Sequence, residues 1–523
     1  MSKKAYAAIF LASFLFYILV SFVQKTPGYM DAAYYYSVGK QIAAGHGWYE
    51  PFIWNYLSSP TSIPTYSFTY WMPLPAIISA AGMLALNSTT FWSSRLFYIL
   101  LASFVPIINI RFTSRYTNTR LLLWMSALMG VLSGFYLQYF TITDSFIPYM
   151  IFGSLYLLLL QTIFIKDGNV KWSIWGGLGI LAGLLHLCRA DGILWLFAGF
   201  IVIAVLLIKK KSWILIINAI PYLFFYLLLM SPWYLRNFSV FHSLFVPGSG
   251  LTIYFTKYND LFSTHPEKIT LLNFIKSNPE SVILNRVSAL KLNLESLIGI
   301  TGGIVLFPFT IVGVLSQKKE TITKFVISML TAIFIVMTFV FPFAGSRGGF
   351  IHSASSLQCY FWAITPLGFE NIIKKIAKYR KWKPERSLVL LGSTLIAVLA
   401  LITTGLFFGK IAGDNKKSSW DAKYMSYVQL NQFLTKCSND NSPVMINDSP
   451  GFYAMTGRSS IQLTVGSLGD TKTTMKKFGS KILVLDEDRS SEYESLYSAQ
   501  ILSEDFTYLG KMDDYVIYQI TQE

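Results

Sequence analysis

Apolar positions in this chain gather in long runs, separated by short basic or glycine- and proline-rich stretches. The runs cover residues 5–23, 91–110, 121–140, 146–165, 172–187, 193–208, 213–230, 297–315, 325–343, 357–369 and 388–408. Most approach the roughly 20 residues that a helix needs to cross a bilayer. The pattern predicts about eleven transmembrane helices. A further apolar stretch, 75–86, is too short to span and is read as lying in the membrane interface. This reading also satisfies the charges. With 75–86 in the interface, the basic segments at 111–120, 166–171, 209–211, 318–319 and 374–386 all fall on one side, as the positive-inside rule requires. The N-terminus is then cytoplasmic and the C-terminus outside.

Three stretches break the apolar pattern, and all lie on the outer side in this topology. The first external loop, 24–90, is aromatic and punctuated by proline. A second external segment runs from 231 to about 296. From about Lys410 the chain turns polar, with a helical stretch near 424–435 and short strand-like runs at 444–446, 481–485 and 515–518. The expected organisation is a transmembrane module over 1–409 and a small extracytoplasmic α/β domain over 410–523.

Composition sharpens this picture. Hydrophobic residues make up 53% and charged residues 13%, about half the charge of a soluble protein. The net charge is +16. The tail from Lys410 carries 12 Lys and Arg against 15 Asp and Glu, so the excess belongs to the membrane part. That matches basic cytoplasmic loops and argues against nucleic acid as a partner. The three cysteines, Cys188, Cys359 and Cys437, are too few for a disulfide framework. No His, Cys or carboxylate group has metal-ligand spacing, so neither metal nor cofactor is implied.

The candidate chemistry lies at the outer ends of the spans. Asp31, Arg95, Asp144, Arg189, Asp191, Arg236, Arg347 and His352 all map there. Ionisable groups at membrane depth are costly and tend to be functional. Bundled helices would bring these groups to one outward-facing cavity. Carboxylates there could take a proton, and guanidinium groups could hold an anion such as a phosphate. Structural roles compete at each position. Asp31 and Asp144 precede helical runs and suit N-caps. Arg189 and Asp191 suit an interfacial ion pair. His46, between glycines, suits a turn.

Several local patterns, in order, resemble the GT-C membrane glycosyltransferases, in the branch of the protein O-mannosyltransferases and the lipid A aminoarabinose transferase. These are Asp31 with Tyr34-Tyr35-Tyr36 and Gly45-His46-Gly47-Trp48; Trp71-Met72-Pro73-Leu74; Ser94-Arg95-Leu96; Thr143-Asp144; Arg189-Ala190-Asp191-Gly192; and Pro232-Trp233-Tyr234-Leu235-Arg236-Asn237. The likeness covers about the first 250 residues, and the remainder by architecture. One departure is that Ala32 stands where many members carry a Glu after the first-loop Asp. The resemblance implies a GT-C-like fold, a polyprenyl-phosphate-linked sugar donor and an acceptor hydroxyl on protein, lipid or glycan. It implies Asp31 as general base of an inverting transfer. Asp144 and Asp191 would be a second acid or position substrate. Arg95, Arg189, Arg236 and Arg347 would bind the lipid phosphate, with Tyr35, His46, Trp71 and His352 as substrate contacts. The competing reading is a transporter, flippase or polymer-assembly protein for lipid-linked sugars. Transporters place polar groups near the midplane in repeated halves, whereas here the charges crowd one side and no repeat is visible.

Overall fold

The computed structural model describes residues 1–413, 419–438, 441–498 and 505–521. The 410–523 segment therefore contains four stretches outside the described residues. Among the described residues, seven helices are long and apolar enough to cross a membrane. They are Lys3–Val23 (α1), Phe91–Thr113, Phe146–Ile165, Ala190–Lys210, Trp213–Phe241, Thr321–Val340 and Pro384–Ala412. Shorter apolar helices, including Arg120–Val131, Trp172–Cys188 and Phe307–Ser316, pack among them. At the centre stands Phe350–Arg380, whose first twenty residues are almost all buried. It packs against Phe146–Ile165, Phe307–Ser316 and Val105–Thr113.

Several apolar runs are broken where the sequence read as continuous. The 121–140 run holds a helix only to Val131 and then a tighter 3₁₀ turn, Gly134–Tyr139. The Ser133-Gly134 step sets the break, with Gly134 at φ +60°, a backbone state that costs glycine little. The 297–315 run is split in the same way. One helix, Pro279–Gly302, ends at Gly303 with φ +50°, and the next begins at Phe307. Conversely, the 357–369 run is only the middle of a 31-residue helix.

The first loop opens with helix α2, Met30–Ala43. Tyr29, not Asp31, occupies its N-cap, and Asp31 sits in the first turn, where a carboxylate faces the positive end of the helix. The 75–86 stretch forms helix α3, Leu74–Ala85, which begins at the proline pair and lies against α2. The loop also contributes strands β1 (Tyr49–Glu50), β2 (Phe52–Ile53) and β3 (Thr65–Tyr66). The tail adds β4 (Val444–Ile446), β5 (Ser460–Gln462), β6 (Ile482–Leu485), β7 (Phe506–Met512) and β8 (Tyr515–Ile520). β2 leaves the loop to pair parallel with β5, giving a six-stranded sheet of order β2-β5-β4-β6-β8-β7. The tail thus packs over the first loop, and its helix Ser449–Thr456 lies on α2.

A second tie fixes the start of α2. Trp420 donates its indole N–H to the carbonyl of Thr26 at 3.0 Å, and Asp421 accepts from the Thr26 N–H and hydroxyl, each at 2.8 Å. Gly28 sits at φ +80°, and a Cβ there would lie 2.0 Å from the Trp420 ring. Replacing Trp420 by Ala removes a buried aromatic side chain and should cost about 3–5 kcal/mol. The expected outcome is a lower thermal midpoint of the purified protein and faster proteolysis between residues 24 and 30.

Candidate active site

The site is assembled from four separate segments, each held by hydrogen bonds. Gln24 follows α1. Its side chain donates to the carbonyl of Gln138 at 2.8 Å and accepts from the Thr141 hydroxyl at 2.7 Å. Thr143 donates to the carbonyl of Ala32 at 2.7 Å. These bonds bind the 138–144 segment to the first turn of α2, and so bring Asp144 to Asp31. The third segment is the start of the central helix, which supplies His352. The fourth is the Arg189–Asp191 corner between two helices.

Asp31, Asp144 and His352 each offer a ligand atom within 4.8 Å of the others. Asp144 is buried. Its carboxylate accepts from the Tyr29 hydroxyl and the Ser145 N–H. The His352 imidazole stacks on Phe146, with ring centroids 3.6 Å apart. Its Nδ1 meets the Ser145 hydroxyl at 3.0 Å, and its Nε2 lies 3.7 Å from Asp144 Oδ2. The set of two carboxylates and one imidazole fits a divalent cation of hard or intermediate character. Sequence spacing gave no sign of this, because the three residues come from three segments.

Burial pushes the Asp31 carboxyl up to about 8, aided by the Asp144 charge and opposed by Arg189. Burial likewise raises Asp144, against its hydrogen bonds to Tyr29 and Ser145. A carboxyl raised in this way holds a proton more firmly, which is what a general base near neutral pH needs.

Arg189 supplies the balancing charge. Its Nε lies 2.9 Å from Asp191 Oδ1, and its terminal nitrogen reaches the carbonyl of Gly349 and the Ser353 hydroxyl at 3.5 and 3.4 Å. Asp191 also accepts from Ser353 at 2.7 Å and Tyr149 at 3.2 Å. Arg347 lies on a tight turn, Gly345–Gly349. It is exposed, with its guanidinium 3.6 Å from the centre of the Tyr258 ring. A narrow aromatic slot lies beside it, lined by Tyr70, Phe255, Tyr258, Phe341 and Phe343.

The remaining expected residues take other places. Arg95 is buried and donates to the carbonyls of Ser21 and Gln24, each at 2.9 Å. It therefore satisfies the free carbonyls at the end of α1. Arg236 donates to the carbonyl of Ser67 at 2.6 Å and so ties the first loop to its helix. His46 is exposed, hydrogen-bonded to Gln41 at 2.8 Å, and lies past the far end of α2, roughly 20 Å along the axis from Asp31. Trp71 stacks on Trp54 at 3.9 Å and meets the edges of Tyr34 and Tyr35. Tyr35 is buried among Asp31, Asp144 and Arg189.

Three relevant groups escaped the sequence reading. Tyr29 is the hydroxyl on Asp144. Glu50 is a buried carboxyl close to Arg236, and burial holds it well above the usual range. Its sequence signal is a lone acid in Trp48-Tyr49-Glu50-Pro51-Phe52. Asp448 caps the Ser449–Thr456 helix, is buried, and adds its charge to the field at Asp31. Its signal was visible as the Asp448-Ser449-Pro450-Gly451 helix start.

Removing Asp191 strands Arg189. A fully buried pair costs about 3–5 kcal/mol to break in this way. This pair is slightly solvated, so Asp191→Ala should cost about 2–3 kcal/mol, read as a fall in the chemical or thermal unfolding midpoint. Asp191→Asn keeps the acceptors for Tyr149 and Ser353 and should cost less.

No family model matches the chain, and no curated protein matches it. Among solved structures, it is similar to ArnT from Cupriavidus metallidurans bound to undecaprenyl phosphate, with 11% identity and a TM-score of 0.60 over 99% of this chain and 98% of that one. It is also similar to the archaeal oligosaccharyltransferase AglB from Archaeoglobus fulgidus, in complex with an inhibitory peptide and a dolichol-phosphate. That match has 13% identity and a TM-score of 0.58 over 98% of this chain and 74% of that one. A complex of the same oligosaccharyltransferase with Zn and sulfate matches at 12% identity, with a TM-score of 0.57 over 97% and 72%. At such identities the likeness concerns the fold alone. In fold, the chain is similar to these GT-C membrane proteins.

Proposed function

We propose that this protein transfers a sugar from a polyprenyl-phosphate donor to an acceptor hydroxyl at the outer face of the membrane. The observation that carries the reading is the meeting of half-buried Asp31 with buried Asp144 and His352, with the Arg189 charge acting on both carboxylates. The structural neighbours bound to undecaprenyl phosphate and to dolichol-phosphate support a lipid phosphate as leaving group. In this reading 1–409 is the catalytic module and 410–523 an extracytoplasmic cover, with the N-terminus inside.

The acceptor oxygen attacks the anomeric carbon, and the bond from that carbon to the phosphate oxygen breaks. The bonding electron pair leaves with the lipid phosphate. The hydroxyl proton passes to the Asp31 carboxylate, whose raised affinity for protons suits it to the task. One displacement inverts the anomeric centre. Asp144, held by Tyr29 and Ser145, faces His352 Nε2 at 3.7 Å and helps set the position of the imidazole. Positive charge must meet the developing phosphate. Arg347 is the best suited of the four arginines. It is exposed and held by stacking on Tyr258, a ring that also walls the narrow aromatic slot. Arg189 follows, part of its charge being engaged by Asp191. The backbone bonds of Arg95 and Arg236 favour structural roles.

A second reading rests on the cluster of three ligand atoms. There, Asp31, Asp144 and His352 hold a divalent cation, which would supply positive charge next to the acceptor or the phosphate.

The decisive assay is transfer from a polyprenyl-phosphate hexose or pentose by purified protein. Asp31→Asn should lower the rate by about a hundredfold or more, with folding and donor binding intact, and a chelator should leave wild-type transfer unchanged. Loss of transfer on chelation, restored by Mn²⁺, would move Asp31 to the ligand role. No transfer by wild type across several donors would favour a transporter or assembly protein. Arg347→Ala removes charged hydrogen bonds to phosphate, each worth about 1.5–3 kcal/mol, so KM for the donor should rise about tenfold or more while the fold is kept.

A further inference from the structure

The second external segment carries an apolar surface that nothing in the protein covers. It is a hairpin of two helices, Leu271–Lys276 and Pro279–Gly302. Leu271, Leu272, Ile275, Ile283, Leu284 and Val287 are each more than half exposed. On the longer helix the exposed apolar positions go on to Leu294 and Ile298, the spacing of a single stripe. This helix is not a simple membrane span. Its charged residues Glu280, Arg286, Lys291 and Glu295 keep it out of the group apolar enough to cross. Lys268 and Lys276 flank the shorter helix, and both are exposed.

An exposed aliphatic face, with Lys268 and Lys276 beside the shorter helix and Glu280, Lys291 and Glu295 exposed along the longer one, suits a helix lying in the membrane interface. The opposite side of the hairpin is fixed to the protein. Asn293 donates to the carbonyl of Met337 at 3.3 Å and to the Thr338 hydroxyl at 3.0 Å. Asn285 donates to the carbonyl of Thr256 at 3.1 Å, while the Arg286 guanidinium over Phe274 holds the two helices of the hairpin to each other. Thr256 in turn belongs to the loop that Asp260 closes by accepting its N–H at 2.7 Å, and that loop carries Tyr258. The Tyr258 ring forms one wall of the aromatic slot and stacks on Arg347.

We infer that the 271–287 hairpin docks into the outer leaflet, with its aliphatic face among the acyl chains and its lysines at anionic headgroups. The docked hairpin is a lipid-embedded lip for the Tyr258–Arg347 slot. A membrane partner follows from the course of the longer helix, whose last turns enter the apolar run 297–315, and from the exposed Lys268 and Lys276 beside the shorter one. Docking itself is independent of the reaction proposed above.

The test uses the full chain in nanodiscs of phosphatidylcholine and phosphatidylglycerol. In a Cys437→Ser background, where Cys188 and Cys359 are buried, bimane is attached through Ile275→Cys, Leu284→Cys or, as a control on the exposed face of the tail sheet, Thr507→Cys. Nitroxide lipids carrying the label high on the acyl chain should quench 275 and 284 at least about threefold more than 507, and aqueous iodide should show the reverse order. Iodide quenching of 275 and 284 equal to that of 507 would leave the hairpin in water and overturn the proposal. Protection from both quenchers would place it against protein, a second copy or another partner, and would equally overturn it. Neither result bears on whether sugar is transferred, so the two readings fail separately.

Discussion

The structure turns on an imbalance of charge. Asp31 and Asp144 are brought together out of water, where two carboxylates repel each other and each loses its hydration. Arg189 is the nearby cation, and Asp191 already claims part of it. The protein holds the pair together through the frame around them rather than through their own attraction. Gln24 and Thr143 tie the 138–144 segment to the first turn of α2, and Trp420 and Asp421 clamp the residues before α2. His352 is locked flat on Phe146. This arrangement leaves a strong local demand for positive charge or for a proton, and a reacting hydroxyl can meet that demand.

Much of this was legible in the chain. Long apolar runs gave the helices, and the placement of lysines and arginines separated α3 from the spans, since twelve residues cannot cross. The strand-like runs in the tail gave β4, β6 and β8. Asp31, Asp144, Arg189, Asp191 and His352 were recognisable because each is an ionisable group at the end of an apolar run, and the fold gathers all five.

What stayed hidden was direction. An arginine at the end of a span can face a cavity or cap a neighbouring helix. Arg95 caps α1, and Arg236 ties down the first loop, yet nothing in either local sequence distinguishes them from Arg347. The helix breaks at Gly134 and Gly303 were hidden for a related reason. Both residues lie in apolar surroundings where glycine is common in spanning helices, so only the backbone reveals the left-handed turn. Pairing across hundreds of residues was equally invisible. The strand Phe52–Ile53 is too short to announce itself, and its partner lies in the tail.

That pairing has a consequence for how the molecule is made. β2 leaves the ribosome about four hundred residues before β5, and the sheet cannot gain this edge until the tail has been made. During synthesis the first loop must wait with two backbone positions unpaired, and the helix Ser449–Thr456 has not yet arrived over α2. The covering of α2 is therefore the last part of this region to form. A chain stopped before the tail would have α2 without the helix Ser449–Thr456 on it and without the Trp420 and Asp421 clamp before it. Completion of translation, rather than insertion of the helices, therefore finishes the surroundings of Asp31.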